Sequence, residues 1–464
     1  MQRLKRLICA GLMSVLLVIA SGETIFAQPS GTPTYTTFSD WCANRETLSV
    51  GDRDTVRLLL AEAHTQDCDR AEERLMSIRK LELRKKYITN LAPIASLTNL
   101  TDLDLTCNQI ASIQPLESLT NLTLLGLGNN KISNIAPLAH LTELTILSLG
   151  YTSYSSIREP FNFFYTPKTV IDYCPYGNQI ENIEPLSHLS NLTELNLQRN
   201  SVSNLEPIAA LTHLTKLDLH RNQITDIKPL TGLPDLRYLD IGGNEITNIA
   251  PLANLTNLTN LDLWTTPISD IEPLANLTNL RNLKLIGNRI SNIEPLSGLT
   301  NLVSLSLHGN QIEDINPLAN LTNLRWLSLW DNQIEAIAPL ANLTNLTELR
   351  LRENEISDLE PLSNLHSLTA LYLDFNQVTN LAPLTNLFQL TELDLYGNQI
   401  VSVESLSNLT NLIVLNLGDN QIADASPLSS LTNLQWLYLG ENPLDPPVCP
   451  VQPDRICKGM LGRY

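Results

Sequence analysis

One asparagine returns in a single register along most of the chain: Asn108, Asn130, Asn178, Asn200, Asn222, Asn244, Asn288, Asn310, Asn332, Asn354, Asn376, Asn398, Asn420 and Asn442. Nearly all of the intervals are 22 residues or a multiple of it, with Lys86, Thr152 and Thr266 filling rungs where asparagine is missing. A period this short and this regular constrains the fold more than any other feature. Each unit is too small to bury its own apolar face, so the units must stack and share one elongated core. An ordinary division of 464 residues into two or three globular domains is thereby disfavoured.

Each column of the repeat has a physical role. In the unit that runs from Leu299 to Leu318, Leu305 and Leu307 alternate with Ser304, Ser306 and His308, the period of a short strand with one face inward. Stacked copies predict a parallel sheet. Leu299, Leu302, Ile312, Ile315 and Leu318 complete the inward set. Asn310 falls where the chain turns out of the strand, and its amide both donates and accepts, so it can satisfy backbone groups that water cannot reach. Asn108, Asn130, Asn200, Asn222 and Asn332 are assigned the same structural role. A fourteen-member proline column, Pro93 through Pro427, excludes a long helix on the opposite side.

The unit fits the pattern L-x-x-L-x-L-x-x-N-x-L and continues as N-x-I-x-x-I-x-P-L, over roughly residues 81–442. In this it resembles the internalin and SDS22-like branch of bacterial-type leucine-rich-repeat proteins. The resemblance implies an α/β solenoid: a leucine-rich-repeat horseshoe with a concave parallel β-sheet and an irregular or 3₁₀ convex side. It also implies a protein-binding role. A solenoid needs its open ends covered. Residues 38–80 are read as a small helical N-terminal cap, with one helix over Thr55–Ala63 and a second from Asp69, where Glu72 stands three residues on as in a capping box. Residues 443–464 are read as a C-terminal cap.

Residues 1–27 have the form of a secretory signal peptide, with Arg3, Lys5 and Arg6 before a short apolar run and Ile25-Phe26-Ala27 before Gln28; residues 28–37 read as a disordered leader. The apolar run is too short for a comfortable span, and no membrane span is expected elsewhere. The expected location is outside the cytoplasm, extracellular or periplasmic. Loss of the signal moves the formal charge from −18 to −20, a surface that repels phosphate backbones, so no nucleic-acid partner is expected. Six cysteines then remain in an oxidising compartment. Cys42 with Cys68, and Cys449 with Cys457, pair most economically within the two ends. Cys107 and Cys174 stand about three repeats apart, roughly 15 Å at sheet spacing, and are expected to be free.

The register also assigns the concave surface: positions six, four, two and one before each ladder asparagine. Trp264, Trp326, Trp330 and Trp436 fall there, with Tyr238, Tyr372, Phe375, Tyr396 and Tyr438, and Arg350 and Arg352 lie between the halves of the group. Trp, Tyr and Arg carry much of the energy at interfaces, so Trp264, Trp326, Trp330, Arg350, Arg352, Tyr372, Phe375 and Tyr396 are the candidate binding residues. Aromatic rings also suit sheet positions and can simply cover one another. Asp218, Asp240 and Asp262 form one column of like charges, to be relieved by a basic partner or a cation, or merely solvated. The one irregular repeat, 151–177, sets an interval of 26 rather than 22 between Thr152 and Asn178 and is rich in Tyr and Phe; it is either a ligand-touching loop or a decayed repeat with its own small core. Arg79, Lys80, Arg84, Lys85 and Lys86 make one basic cluster, read as a solvated edge.

Catalytic motifs are not found: neither H-E-x-x-H nor G-x-S-x-G nor a phosphate-binding glycine loop occurs, and His220 and His308 are four strands apart. The reading is a non-catalytic protein with no cofactor and no metal, whose partner is a protein held on the concave face. The alternatives are a carbohydrate-binding or a structural cell-envelope protein.

Overall fold

The computed structural model describes residues 35–150, 174, 177–445 and 448–458. The expected signal segment, residues 28–34 of the expected leader and most of the irregular repeat lie outside the described residues. Three helices open the described chain: α1 (Phe38–Ala43), α2 (Val50–Glu62) and α3 (Cys68–Ser77). Strands of three residues then recur. In chain order they are β1 (Lys80–Glu82), β2 (Asp102–Asp104), β3 (Leu124–Gly126), β4 (Ile146–Ser148), β5 (Glu194–Asn196), β6 (Lys216–Asp218), β7 (Tyr238–Asp240) and β8 (Asn260–Asp262). They continue as β9 (Asn282–Lys284), β10 (Ser304–Ser306), β11 (Trp326–Ser328), β12 (Glu348–Arg350), β13 (Ala370–Tyr372), β14 (Glu392–Asp394), β15 (Val414–Asn416) and β16 (Trp436–Tyr438), and β17 (Cys457–Lys458) pairs with β16. All pair in parallel with their neighbours in one open sheet of 17 strands. This is the expected solenoid, with short 3₁₀ turns on the convex side.

Register and core follow from the repeat. Lys80 faces Asp102 and Ser304 faces Trp326, an offset of one 22-residue unit in each case. Leu299, Leu302, Leu305, Leu307, Ile312 and Leu318 are fully buried, and the same columns are buried along the stack. Full burial of one such side chain is worth roughly 1.5–3 kcal/mol. The ladder asparagine joins two units at a time. Asn310 donates from Nδ2 to the carbonyls of Leu307 (2.8 Å) and Leu285 (2.9 Å), while its Oδ1 accepts from the Ile290 amide (3.1 Å). Asn108 makes the same three contacts to Leu105, Leu83 and Ile88. Thr266 keeps part of this, its Oγ1 lying 2.6 Å from the Leu263 carbonyl.

A second asparagine column, to which the repeat pattern assigns no role, also bonds across units. Asn257 donates to the Pro234 carbonyl, Asn301 to Thr278 and Asn345 to Thr322, each at 2.9 Å. Thr259 and Thr369 hydroxyls likewise reach the carbonyl one unit back. These asparagine and threonine columns therefore tie adjacent units together. On the convex side, Asp314 and Asn292 accept the amide two residues on, folding the chain into the proline-bearing 3₁₀ turn.

The ends depart from expectation in detail. Tyr35 packs edge-on against Trp41 and Thr37 caps α1 in a capping box with Asp40, so residues 35–37 are ordered where a disordered leader was expected. The Asp69–Glu72 pair does not cap a helix. Asp67 caps α3, while Asp69 and Glu72 bind the hydroxyl and amide of Ser39 and dock α1 onto α3. Cys42 and Cys68 cross-link the same two helices, and Cys449 joins Cys457 in the terminal strand.

Cys107 and Cys174, expected to be free, form a third disulfide with Cα atoms 5.7 Å apart. The expectation miscounts the rungs. β4 pairs directly with β5, Ile146 facing Glu194, so no strand intervenes between them. Asn178 accordingly bonds to Ile132 and Leu127, the neighbours of the Asn130 rung, so the Asn130 and Asn178 rungs are adjacent. Cys174 thus belongs two rungs from Cys107 rather than three, within reach through a departure from the regular path. Non-reducing peptide mapping should return three pairs, 42–68, 107–174 and 449–457. A free thiol at Cys107 would refute this arrangement.

Candidate functional site

The concave columns can be followed across strands. Trp326, Glu348, Ala370, Glu392, Val414 and Trp436 stand in one row, and Ser328, Arg350, Tyr372, Asp394, Asn416 and Tyr438 in the next. On β11–β13 the Arg350 guanidinium lies over both Trp326 (5.8 Å) and Tyr372 (5.1 Å) and is held by Glu348 at 2.6 Å. Tyr372 donates its hydroxyl to Glu392 at 2.6 Å. A parallel line runs through the turn after each strand. Arg352 lies over Phe375 (5.3 Å), Phe375 meets Tyr396 edge-on (5.2 Å), and Tyr396, Tyr438 and Trp436 follow. Trp330 stacks on His308, ring centroids 4.4 Å apart.

The structure therefore places Trp326, Trp330, Arg350, Arg352, Tyr372, Phe375 and Tyr396 on one patch. The rings do cover one another: most are half-buried, but Phe375 remains 42% exposed and both arginines are exposed. Phe375 also has φ of +56°, and the column is left-handed throughout, in Arg221, Asp331, Glu353 and Glu441 as well as in Gly243, Gly287, Gly309 and Gly397. The left-handed turn is thus a property of the repeat itself, and Phe375 is distinguished by presenting an exposed ring from it.

Trp264 is set apart from this band. Its neighbours are His220 (5.8 Å) and Arg221, whose guanidinium is 5.0 Å from the ring. They sit beside the aspartate column, which is buried rather than solvated: Asp218, Asp240 and Asp262 are 2%, 6% and 3% exposed. Its charge is relieved from within. His220 Nδ1 lies 3.0 Å from Asp218 and 3.2 Å from Asp240, and Lys284 Nζ lies 2.7 Å from Asp262. Overlaying the columns could have revealed both cations, since Lys284 occupies the aspartate position one strand on. Among the described residues, Asp218, His220 and Asp240 are the trio whose ligand-type atoms lie within 4.8 Å of one another and could hold a metal, and the imidazolium fills that place. Burial raises Asp262 to about 6, helped by the charge of Asp240.

Burial alone would lower His220, but hydrogen bonds and charges from Asp218 and Asp240 outweigh it and raise the group to about 9. A folded-state value above the unfolded value of 6.5 means a stabilisation fully present below pH 6.5 and lost as pH rises through 9. The expected loss across that window is on the order of 2 kcal/mol. Urea unfolding at stepped pH should show it, and His220→Gln should remove it, the two proteins converging by about pH 10. Parallel pH profiles of the two proteins would rule out this pairing. His308 behaves oppositely: burial, then the charge of Arg350, lowers it to about 4, so a neutral ring stacks on Trp330.

The basic cluster is partly spent internally, with Arg79 donating to the Asn99 carbonyl, Lys80 paired to Glu82 and Arg84 to Asp104. No helix among the described residues is long and apolar enough to cross a membrane.

The family profile for leucine-rich repeats in two copies matches residues 212–254, 234–276, 278–320, 322–364, 344–386, 388–430 and 410–447. Among solved structures, an internalin of Listeria monocytogenes is 31% identical, with 78% of this chain and 94% of that one covered and a TM-score of 0.61. A leucine-rich-repeat protein of Leptospira interrogans is 27% identical over 82% of this chain and 93% of that one, with a TM-score of 0.69. The ectodomain of a plant membrane receptor kinase from Arabidopsis thaliana, solved in complex with Casparian strip integrity factor 2, shares the fold at 23% identity and a TM-score of 0.66, covering 80% of this chain and 46% of that one. No curated protein matches.

Proposed function

This chain belongs to the leucine-rich-repeat family and is a protein-interaction domain, and from that premise we propose that it is a non-catalytic, secreted binding protein, extracellular or periplasmic, which holds a protein partner against the aromatic band of β11–β16. The observation that carries this reading is Phe375: an exposed aromatic ring, continuous with Arg352 on one side and Tyr396 on the other. Exposed apolar groups that cluster tend to mark a surface in use, and Trp, Tyr and Arg dominate interface energetics. Residues 1–27, as a signal peptide, and the disulfides support export. The solenoid is divided as an N-terminal cap at 38–80, repeats over 81–442 and a C-terminal cap from 443. The test is capture of a protein from extracellular or periplasmic fluid on immobilised wild type, followed by titration of band variants. Capture of a glycan alone, on an array, would move the partner to the carbohydrate class.

A further inference from the structure

The band is not electrically uniform. On β11–β12 its charges are mixed, Arg350 and Arg352 standing against Glu348 and Glu353. From β13 to β16 the concave positions carry rings and carboxylates, Tyr372, Phe375, Tyr396, Trp436 and Tyr438 with Asp374, Glu392, Asp394, Asp419 and Glu441, and Lys458 on β17 closes the stretch beside Tyr438. Glu392, Asp419 and Glu441 are exposed, one on each of three successive units. Arg352, which reaches this stretch from β12, is already shared between Glu353 and Asp374. The local field has visible consequences. Burial and the charge of Asp394 push Asp374 up to about 6, and Tyr396 is raised by desolvation and by the charges of Glu441 and Asp419.

The rings of Tyr396 and Tyr438 are seated over Gly418 and remain half-exposed. Gly418 leaves the space in which Tyr396 and Tyr438 lie; a Cβ there would fall 2.3 Å from the Tyr438 ring. Aromatic faces attract cations, most strongly where carboxylates lie beside the ring and water is partly excluded. An extended peptide presents alternate side chains roughly 7 Å apart, which spans between one and two strands of a sheet spaced at about 4.8 Å. Two such steps, about 14 Å, match three strand spacings, so a cation placed at β13 and the second cation after it would reach β13 and β16 together.

We propose that the β13–β16 stretch is an acidic aromatic cradle for a lysine- or arginine-bearing segment of the protein partner, extended across the strands. This rests on the band reading above and names the chemistry that the band selects. The formal charge of −18 favours the same class of partner, and steers its approach.

The probe is a labelled peptide of about twelve residues alternating Gly and Arg, with Gly-Gln and Gly-Glu peptides of equal length, read by fluorescence anisotropy on the full mature chain. The Arg peptide should bind at least about tenfold more tightly than either control. Removing the cradle charges with Glu392→Gln, Asp419→Asn and Glu441→Gln together should weaken it by about tenfold or more. Tyr396→Ala with Tyr438→Ala should weaken it by about fivefold or more. A charge-matched convex triple, Glu313→Gln, Glu335→Gln and Glu360→Gln, should stay within about twofold. Equal losses from the cradle and convex triples would mean diffuse acidity and would overturn the proposal, as would failure to prefer the Arg peptide. With a captured partner the two readings separate. If its affinity falls on ring truncation but survives the carboxamide triple, the band stands and the cationic cradle does not. If ring truncation leaves it unchanged, the band reading itself has failed.

Discussion

Asn310→Ala is expected to destabilise the solenoid by about 3 kcal/mol, through one orphaned backbone group more than through the number of bonds lost. The two carbonyls that Asn310 serves each keep another partner: Leu285 still receives the Asn288 amide and Leu307 the Asn332 amide. The Ile290 amide has no such reserve. It is buried, it donates to Asn310 Oδ1, and alanine leaves it facing apolar side chains. A buried donor without a partner costs about 1–3 kcal/mol, to which the two weakened carbonyl interactions add. Asn310→Asp is the sharper probe. It preserves shape and the acceptor for Ile290, yet sets a carboxylate oxygen against two carbonyls, so at neutral pH it should be at least as damaging as alanine. Acidification should return part of that loss, since a protonated carboxyl can donate again. Thr266→Asn tests the opposite sign, because it would complete a rung that threonine fills only in part. Urea unfolding of the four proteins, at neutral and acid pH, decides these together. A cost below about 1 kcal/mol for both Asn310 variants would show that the ladder is not what joins the repeats.

Much of this is readable from spacing. A strict period of 22 residues fixes which residues face each other across the sheet, so Trp326 beside Ser304 and Arg350 beside Tyr372 follow from superposing the units on one another. The alternation within each unit separates buried leucines from concave side chains for the same reason. The reading fails where the period fails. The sequence of 151–177 offers a rung at Thr152, and only the pairing of β4 with β5 reveals that no strand separates the units on either side. That one miscounted unit hides the Cys107–Cys174 bridge.

Within the candidate site, columns are legible and contacts are not. The sequence places Asp218, Asp240 and Asp262 in a row, but whether like charges are solvated or buried depends on how far neighbouring side chains lean over them. His220 and Lys284 lean in, and the column becomes an internal ion network. The same cause separates Trp264 from the other tryptophans, since its ring turns towards Arg221 and His220. Glu348 and Glu392 look like ordinary solvated acids in the repeat pattern, yet they hold Arg350 and Tyr372 in place.

With a captured partner, Tyr372→Ala should weaken binding by about thirtyfold, equivalent to about 2 kcal/mol, and Trp330→Ala by a similar amount. Tyr372 stands where the two lines of the band approach each other: Arg350 rests on its ring and its hydroxyl is fixed by Glu392. A side chain held in this way loses little freedom when a partner arrives, which is the condition under which contact area converts into affinity. Trp330 is held comparably, by its stack on His308. Neither ring enters the leucine core, so both variants should unfold within a few degrees of wild type, and loss of binding cannot be ascribed to loss of fold. Combining either with Arg350→Ala discriminates further. Arg350 bridges Trp326 and Tyr372, whereas Trp330 is seated by its histidine, so Tyr372→Ala should be strongly non-additive with Arg350→Ala and Trp330→Ala nearly additive. Glu313→Ala, on the convex side, should leave affinity intact. If the Trp326→Ala, Trp330→Ala, Tyr372→Ala triple variant captures the partner as wild type does, the contact lies off this band.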